Sequence, residues 1–178
     1  MIEERSMNIL CYRYGSIVEP DIIDGFKELG NQVSEICLEI YNKNTTPLEG
    51  LTALKDELMR HSYDFVFSIN FYPFIAEVCN IFQIRYLCLT VDAPVLELFS
   101  NSIQLPWNRI FLFDRAQYED FHPLNPECIF HLPLAGNPAR YAPVIQNATP
   151  DLIRKYSADI SFVGSLYTEK CPYDRLQT

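Results

Sequence analysis

The chain has 178 residues, of which 48% are hydrophobic and 21% charged, and it carries a formal net charge of −9. A chain this long suits one domain with perhaps a fragment of another and buries about 70% of its unfolded surface, so disorder from low hydrophobicity is excluded. Its lysines and arginines are scattered with no run of three, which argues against the basic stripe of a nucleic-acid binder; the acidic balance serves solubility and still allows a local basic pocket for a small anion.

Asn8 to Tyr12 is a short apolar run broken by Tyr14-Gly15-Ser16, which reads as a buried strand entering a loop. Glu19-Pro20-Asp21 places a proline and acids at a helix start, where a missing N–H costs nothing and negative charge meets the helix dipole. Ile22, Ile23, Phe26 and Leu29 follow at helical spacing, and Gly30 is placed to end the helix. Val33 to Ile40 alternates, with Ile36, Leu38 and Ile40 on one face of an expected second strand. Thr46-Pro47-Leu48-Glu49 is a capping box with proline at the first helical position, opening a helix to about Arg60.

Phe65 to Ile69 is continuous enough for a strand buried on both faces. A helix from Phe74 to Phe82 follows it, then a strand from Tyr86 to Val91, and Asp92-Ala93-Pro94 opens a short helix through Phe99. Arg109 to Phe113 is the fifth strand, Asp114 begins a helical turn to about Asp120, and Cys128 to Leu132 is the sixth strand. Pro133 to Pro150 reads as a proline-rich loop, and 141–158 as a linker with one short helix near Asp151 to Tyr156. Asp159 to Gly164 reads as a fresh strand, so that 159–178 begins a truncated second domain or closes the first. Strands alternating with helices predict βαβ units: a Rossmann-like, open, mostly parallel α/β sheet of about six strands, helices on both faces, in the order 2-1-3-4-5-6 over residues 7–140.

The six cysteines lie at long, irregular spacings without a C-x-x-C pair. They read as reduced thiols, with Cys11, Cys37 and Cys88 inside apolar runs, which fits a cytoplasmic setting. Residues 1–6 are charged, lack the apolar core of a signal peptide and read as an extension. No apolar run approaches the ~20 residues of a spanning helix.

In open parallel sheets, ligands bind beyond the carboxyl ends of the strands, where the connections switch direction. The expected order places that crevice between the first and third strands, lined by Tyr14, Gly15, Ser16 and Asn70, with Asp92, Asp114 and His131 at neighbouring strand ends. Gly15-Ser16 could offer amides to an anion, but dinucleotide and P-loop patterns are missing; Gly15 also suits a plain backbone turn. Asp92 and Asp114 each suit a helix cap as well as a ligand contact or base. Metal binding by the two together is disfavoured, since no third acid or lysine joins them. His131, in an apolar strand, suits a hydrogen-bonded core residue better than a catalyst, while His61 and His122 fall at loop edges and read as solvated. Trp107 is suited to capping a loop or shaping a pocket.

Taken together, Met7 to Tyr14, Tyr63 to Pro73, Val91 to Pro94, Ile110 to Asp114, Leu132 to Asn137 and Asp159 to Tyr167 resemble a bacterial family. The resemblance is to the N-terminal domain, of unknown function, of GT-B glycosyltransferase-like proteins related to spore-maturation proteins, and it runs from about Met7 to the end. It implies a Rossmann-like half that shapes the acceptor site and faces a second Rossmann-like domain that binds a nucleotide-sugar donor. The acceptor, be it glycan, lipid or protein, stays open. The resemblance implies no cofactor or metal in this half, and it makes Asp92 the first candidate for a catalytic base. The chain stops before the donor site would be built, so it is expected to be inactive alone. The alternative is a non-catalytic flavodoxin- or receiver-like interaction module, for which the acidic cluster and phosphate loop are missing after the first strand.

Overall fold

A computed structural model describes residues 5–164. The chain divides into two compact units, 1–136 and 137–178. The first is a six-stranded sheet in the order β2-β1-β3-β4-β5-β6, formed by β1 (Asn8–Tyr12), β2 (Gln32–Ile36), β3 (Phe65–Ile69), β4 (Arg85–Leu89), β5 (Asn108–Leu112) and β6 (Ile129–His131). All its pairings are parallel, with Tyr12 opposite Ser68, Ser68 opposite Cys88, and Cys88 opposite Ile110. The expected fold class and strand order are those observed.

Helices α1 (Glu19–Glu28), α2 (Leu38–Tyr41), α3 (Pro47–Arg60), α4 (Pro73–Phe82) and α5 (Arg115–Phe121) join the strands. Side chains alternate across β1 and β3, so the core falls into two layers. Leu10, Tyr12, Val66, Tyr86, Cys88, Ile110 and Leu112 pack on one face against α3, α4 and α5 through Leu54, Ile75 and Phe121. Ile9, Cys11, Phe65, Phe67 and Ile69 pack on the other against α1 through Ile23 and Phe26. The asymmetry follows from right-handed crossovers. The connection from β1 to β2 runs in one direction across the sheet, and the later connections run in the other.

Local signals explain the helix ends. The Thr46 hydroxyl accepts from the Glu49 amide at 3.3 Å, and the Glu49 carboxylate accepts from the Thr46 amide at 2.7 Å, the reciprocal bonds of a capping box. α3 can lie close to β1 because it carries glycine at position 50: a Cβ there would stand 2.6 Å from the Tyr12 hydroxyl.

Several expectations need correction. β2 ends at Ile36, and Leu38 and Ile40 belong to α2; a single turn of helix continues the same apolar spacing that suggested strand. The short helix expected after Asp92 is two 3₁₀ turns, Leu96–Phe99 and Asn101–Gln104. His122 is half-buried, its Nδ1 2.9 Å from the Ile129 carbonyl.

In the second unit, α6 (Pro138–Gln146) occupies the stretch expected as proline-rich loop, and α7 (Pro150–Tyr156) is the short helix expected there. Asn137 caps α6 by accepting from the Arg140 amide at 3.3 Å, and Pro138 fills the first helical position. Residues 159–164 contain no strand. An apolar alternating hexamer becomes a strand only where a neighbour takes its backbone groups, and among the described residues none pairs with it. The parts of the extension before Arg5, of the expected last segment beyond 164, and Cys171 lie outside the described residues. The other five cysteines are free. No described helix is long and apolar enough to cross a membrane.

Candidate functional site

Because the sheet is parallel, every loop leaving a strand end opens on one rim. Tyr14 follows β1, Asn70 follows β3, Asp92 follows β4, Asp114 follows β5 and His131 ends β6. The switch in connection direction falls between β1 and β3, the position favoured for ligands in such sheets.

Asn70 is the hub of that crevice. Its φ is 59°, in the left-handed region, which asparagine tolerates better than most side chains. Its Nδ2 donates to Asp92 Oδ2 at 2.7 Å and to the Tyr14 hydroxyl at 3.3 Å, while its Oδ1 accepts from the Val91 amide at 3.0 Å. One side-chain amide thereby ties three strand ends together. Asp92 is exposed, with Oδ2 held by Asn70. Burial pushes the Tyr14 phenol up, and hydrogen bonds with Ser16 and Asn70 pull it back. Tyr72 stands beside this group, its ring 6.2 Å from Tyr14 and 5.4 Å from Tyr12. Burial pushes the Tyr72 phenol up further, with the negative charge of Glu39 adding to it.

The support beneath Asn70 is polar and buried. The Tyr86 hydroxyl lies 2.6 Å from Ser68 Oγ and accepts from the Tyr72 amide at 3.0 Å, and Ser68 donates to the Asn70 carbonyl at 2.8 Å. By pattern alone Tyr86 and Ser68 are strand residues; what gives them this role is their registry across β3 and β4, which no local pattern announces.

The loop after β1 holds an unexpected group. Glu19 opens α1 as one of two acidic first-turn residues, yet it is 2% exposed. Its carboxylate turns back to accept from the amides of Tyr14 at 3.0 Å and Gly15 at 3.2 Å, and from Arg13 Nε at 3.1 Å. Arg13 also pairs with Glu35, which in turn faces Lys27. The amides that could have received an external anion are therefore taken by the chain itself. Gly15 sits at φ 95°, so its place is explained by the turn.

The outer candidates are placed less closely. The Asp114 carboxylate caps α5 by accepting from the Gln117 amide at 2.8 Å, and Gln117 Nε2 reaches the Asp92 carbonyl at 3.4 Å. Gln117 Oε1 is buried without a hydrogen-bond partner among the described residues. Asp92 itself caps no helix: Val95 precedes the first 3₁₀ turn. His131 is exposed, its Nε2 3.2 Å from the Phe113 carbonyl. This overturns the core reading, because β6 is the sheet edge and buries only Ile129. Tyr14, Ser16, Asn70 and Asp92 thus form one connected group, Asp114 joins through Gln117, and His131 stands apart. Among the described residues no three histidine, cysteine or acidic side chains gather to hold a metal ion.

Two hollows lie away from this rim. Two grooves of about 400 Å³ and 410 Å³ open at the amino-terminal edge of the sheet, sharing His61, Ser62 and Tyr63. Trp107 lines the first of them, as expected of a pocket-shaping residue. The rim site rests on convergent polar groups rather than on enclosed volume.

No family model matches the chain, and no curated protein matches it. Among solved structures, chemotaxis protein CheY4 of Vibrio cholerae is similar at 12% identity and a TM-score of 0.41, covering 80% of this chain and 98% of that one.

Proposed function

We propose that the chain supplies the acceptor side of a two-domain, GT-B-like glycosyltransferase, with the nucleotide-sugar donor bound by a second Rossmann-like domain. The observation that carries this reading is the occupied anion cradle beside an open polar crevice. Glu19 fills the amides of Tyr14 and Gly15, so the first loop favours no phosphate. The crevice next to it offers a carboxylate, an amide and phenols, a set suited to neutral hydroxyl groups. Phenol rings add stacking surface for a sugar face. In this reading Asp92 is the base: Asn70 fixes one carboxylate oxygen, and the other takes the proton of an acceptor hydroxyl. Positioning would supply most of the rate.

The competing reading, an interaction module without catalysis, is favoured by the exposed Ile17, Tyr41, Leu96 and Phe99 in the connections that follow the strands, each 72% to 87% exposed. NMR titration separates the two. Neutral mono- and disaccharides at millimolar concentration are expected to shift the Asn70 side-chain amide, and Asp92→Asn to weaken that binding about tenfold, the loss of one charge-assisted hydrogen bond. UDP-glucose should shift it no more than glucose does. Tight UDP-glucose binding by this chain, or saccharides that leave the Asn70 amide unmoved, would overturn the acceptor reading.

A further inference from the structure

We infer that the groove at the amino-terminal edge of the sheet is a second ligand site, for a small aromatic monocarboxylate. It lies at the opposite strand ends from the rim site and does not depend on the transferase reading. The groove of about 400 Å³ is lined by Leu58, Phe82, Arg85 and Trp107, with Gln83 and Asp64 among its polar groups. That volume suits a small organic molecule.

Three features set the chemistry. Trp107 and Phe82 offer the ring surface, and flat aromatic or apolar groups gain most there. Arg85 is exposed at the start of β4, and its guanidinium has no hydrogen-bond or ion-pair partner among the described residues. The pairing of Tyr86 with Asn108, and the bond from the Tyr86 amide to the Trp107 carbonyl at 2.9 Å, set Arg85, at the start of β4, next to Trp107, the residue before β5. An unpaired guanidinium sharing a groove with an indole matches a planar ring that bears a carboxylate, which arginine binds with two parallel bonds.

The remaining charges limit the ligand to one negative charge. Asp64 in this groove and Glu57 in the adjoining one are carboxylates. Asp64 is engaged by the Asn8 amide at 2.8 Å and by Arg5, and Glu57 by the Tyr63 hydroxyl and, at 4.0 Å, by His61. They leave Arg85 free yet repel a dianion. A phosphate monoester is therefore a poorer fit than a carboxylate.

Trp107 is the one tryptophan of the chain, so its fluorescence reports on this groove directly. Titrating the full chain with benzoate should change the emission saturably, with a Kd of about 1 mM, ordinary for so small a ligand. Benzyl alcohol and benzylamine should bind about tenfold more weakly, and Arg85→Gln should weaken benzoate by about tenfold. Arg85→Lys, which keeps the charge but loses the fork, should fall between. Arg85 is exposed, so far-UV circular dichroism of both variants should match the parent. Asp92→Asn, at the other edge, should leave the benzoate titration unchanged. Emission that does not saturate, equal binding of benzylamine, or benzoate affinity untouched in Arg85→Gln would each overturn the site.

Discussion

Glu19→Ala is expected to lower the stability of the chain by about 3 kcal/mol, the lower end of the range for breaking a buried ion pair by removing one partner. The carboxylate is 2% exposed and accepts from Tyr14 N, Gly15 N and Arg13 Nε. Alanine leaves two loop amides without an acceptor, each worth about 1 kcal/mol or more where water cannot reach. Arg13 is not stranded, because Glu35 still faces it, which keeps the loss from the upper end. Glu19→Gln preserves the shape and one acceptor oxygen and should cost about half as much. Urea unfolding with an unchanged slope measures both. The vacated cradle gives a second readout: millimolar phosphate or acetate should raise the melting temperature of Glu19→Ala and leave that of the parent unaltered. A loss below about 0.5 kcal/mol, the size of an ordinary surface change, would mean that the carboxylate is incidental to the loop.

Tyr86 carries the other large effect. It is fully buried, with its hydroxyl between Ser68 Oγ and the Tyr72 amide. Tyr86→Ala removes a ring from the centre of the larger core layer and should cost about 4 kcal/mol. Tyr86→Phe keeps the ring and isolates the hydroxyl. Ser68 retains the Asn70 carbonyl, but the Tyr72 amide loses its acceptor, for a loss of about 1 to 3 kcal/mol. The same change should speed hydrogen exchange at Tyr72, since that amide leads from Asn70 into α4. Exchange at Tyr72 no faster than in the parent would show that the hydroxyl does not hold the loop.

The tyrosine also sets an alkaline limit. Burial raises the phenols of Tyr86, Tyr72 and Tyr12 well above their ordinary value, and burial pushes the Cys11 thiol up to about 12. The folded chain keeps these protons where the unfolded chain releases them, so the unfolded state binds fewer protons and stability falls as pH rises. The decline should begin near pH 9, where unfolded thiols ionise, and steepen past about pH 10 with the phenols. Chemical denaturation between pH 8 and 11 tests this; a flat profile would contradict the burial of these groups.

Much of this molecule was legible residue by residue. The run Phe65 to Ile69 announced a strand covered on both faces, and all five residues are buried. Thr46-Pro47-Leu48-Glu49 announced a helix start, and the capping bonds are there. These signals are local: a strand buried twice must be apolar throughout, and a cap needs an acceptor and a donor three residues apart. That Tyr14, Asn70 and Asp92 share a rim was legible because parallel strands send all their exits to one edge, whereas His131, on the edge strand, stands apart from them. Where the local signal was shared between two structures, it misled. Leu38 and Ile40 continue an alternation that ends at Ile36, and the prolines of the 133–150 stretch hid α6 although Asn137-Pro138 is a sound helix opening.

By itself, then, the sequence determined that strands and helices alternate, where most of them begin and end, and that their exits share a rim, since hydrophobic period and capping act over a few residues. Only the tertiary structure decided that Glu19 fills the first loop, that Asn70 joins Tyr14 to Asp92, and that Arg85 lies free beside Trp107. Those partners are separated by a loop turn or by whole βαβ units, and a carboxylate's hydrogen bonds depend on which amides the folded backbone turns toward it, a matter of three-dimensional registry that no spacing along the chain encodes.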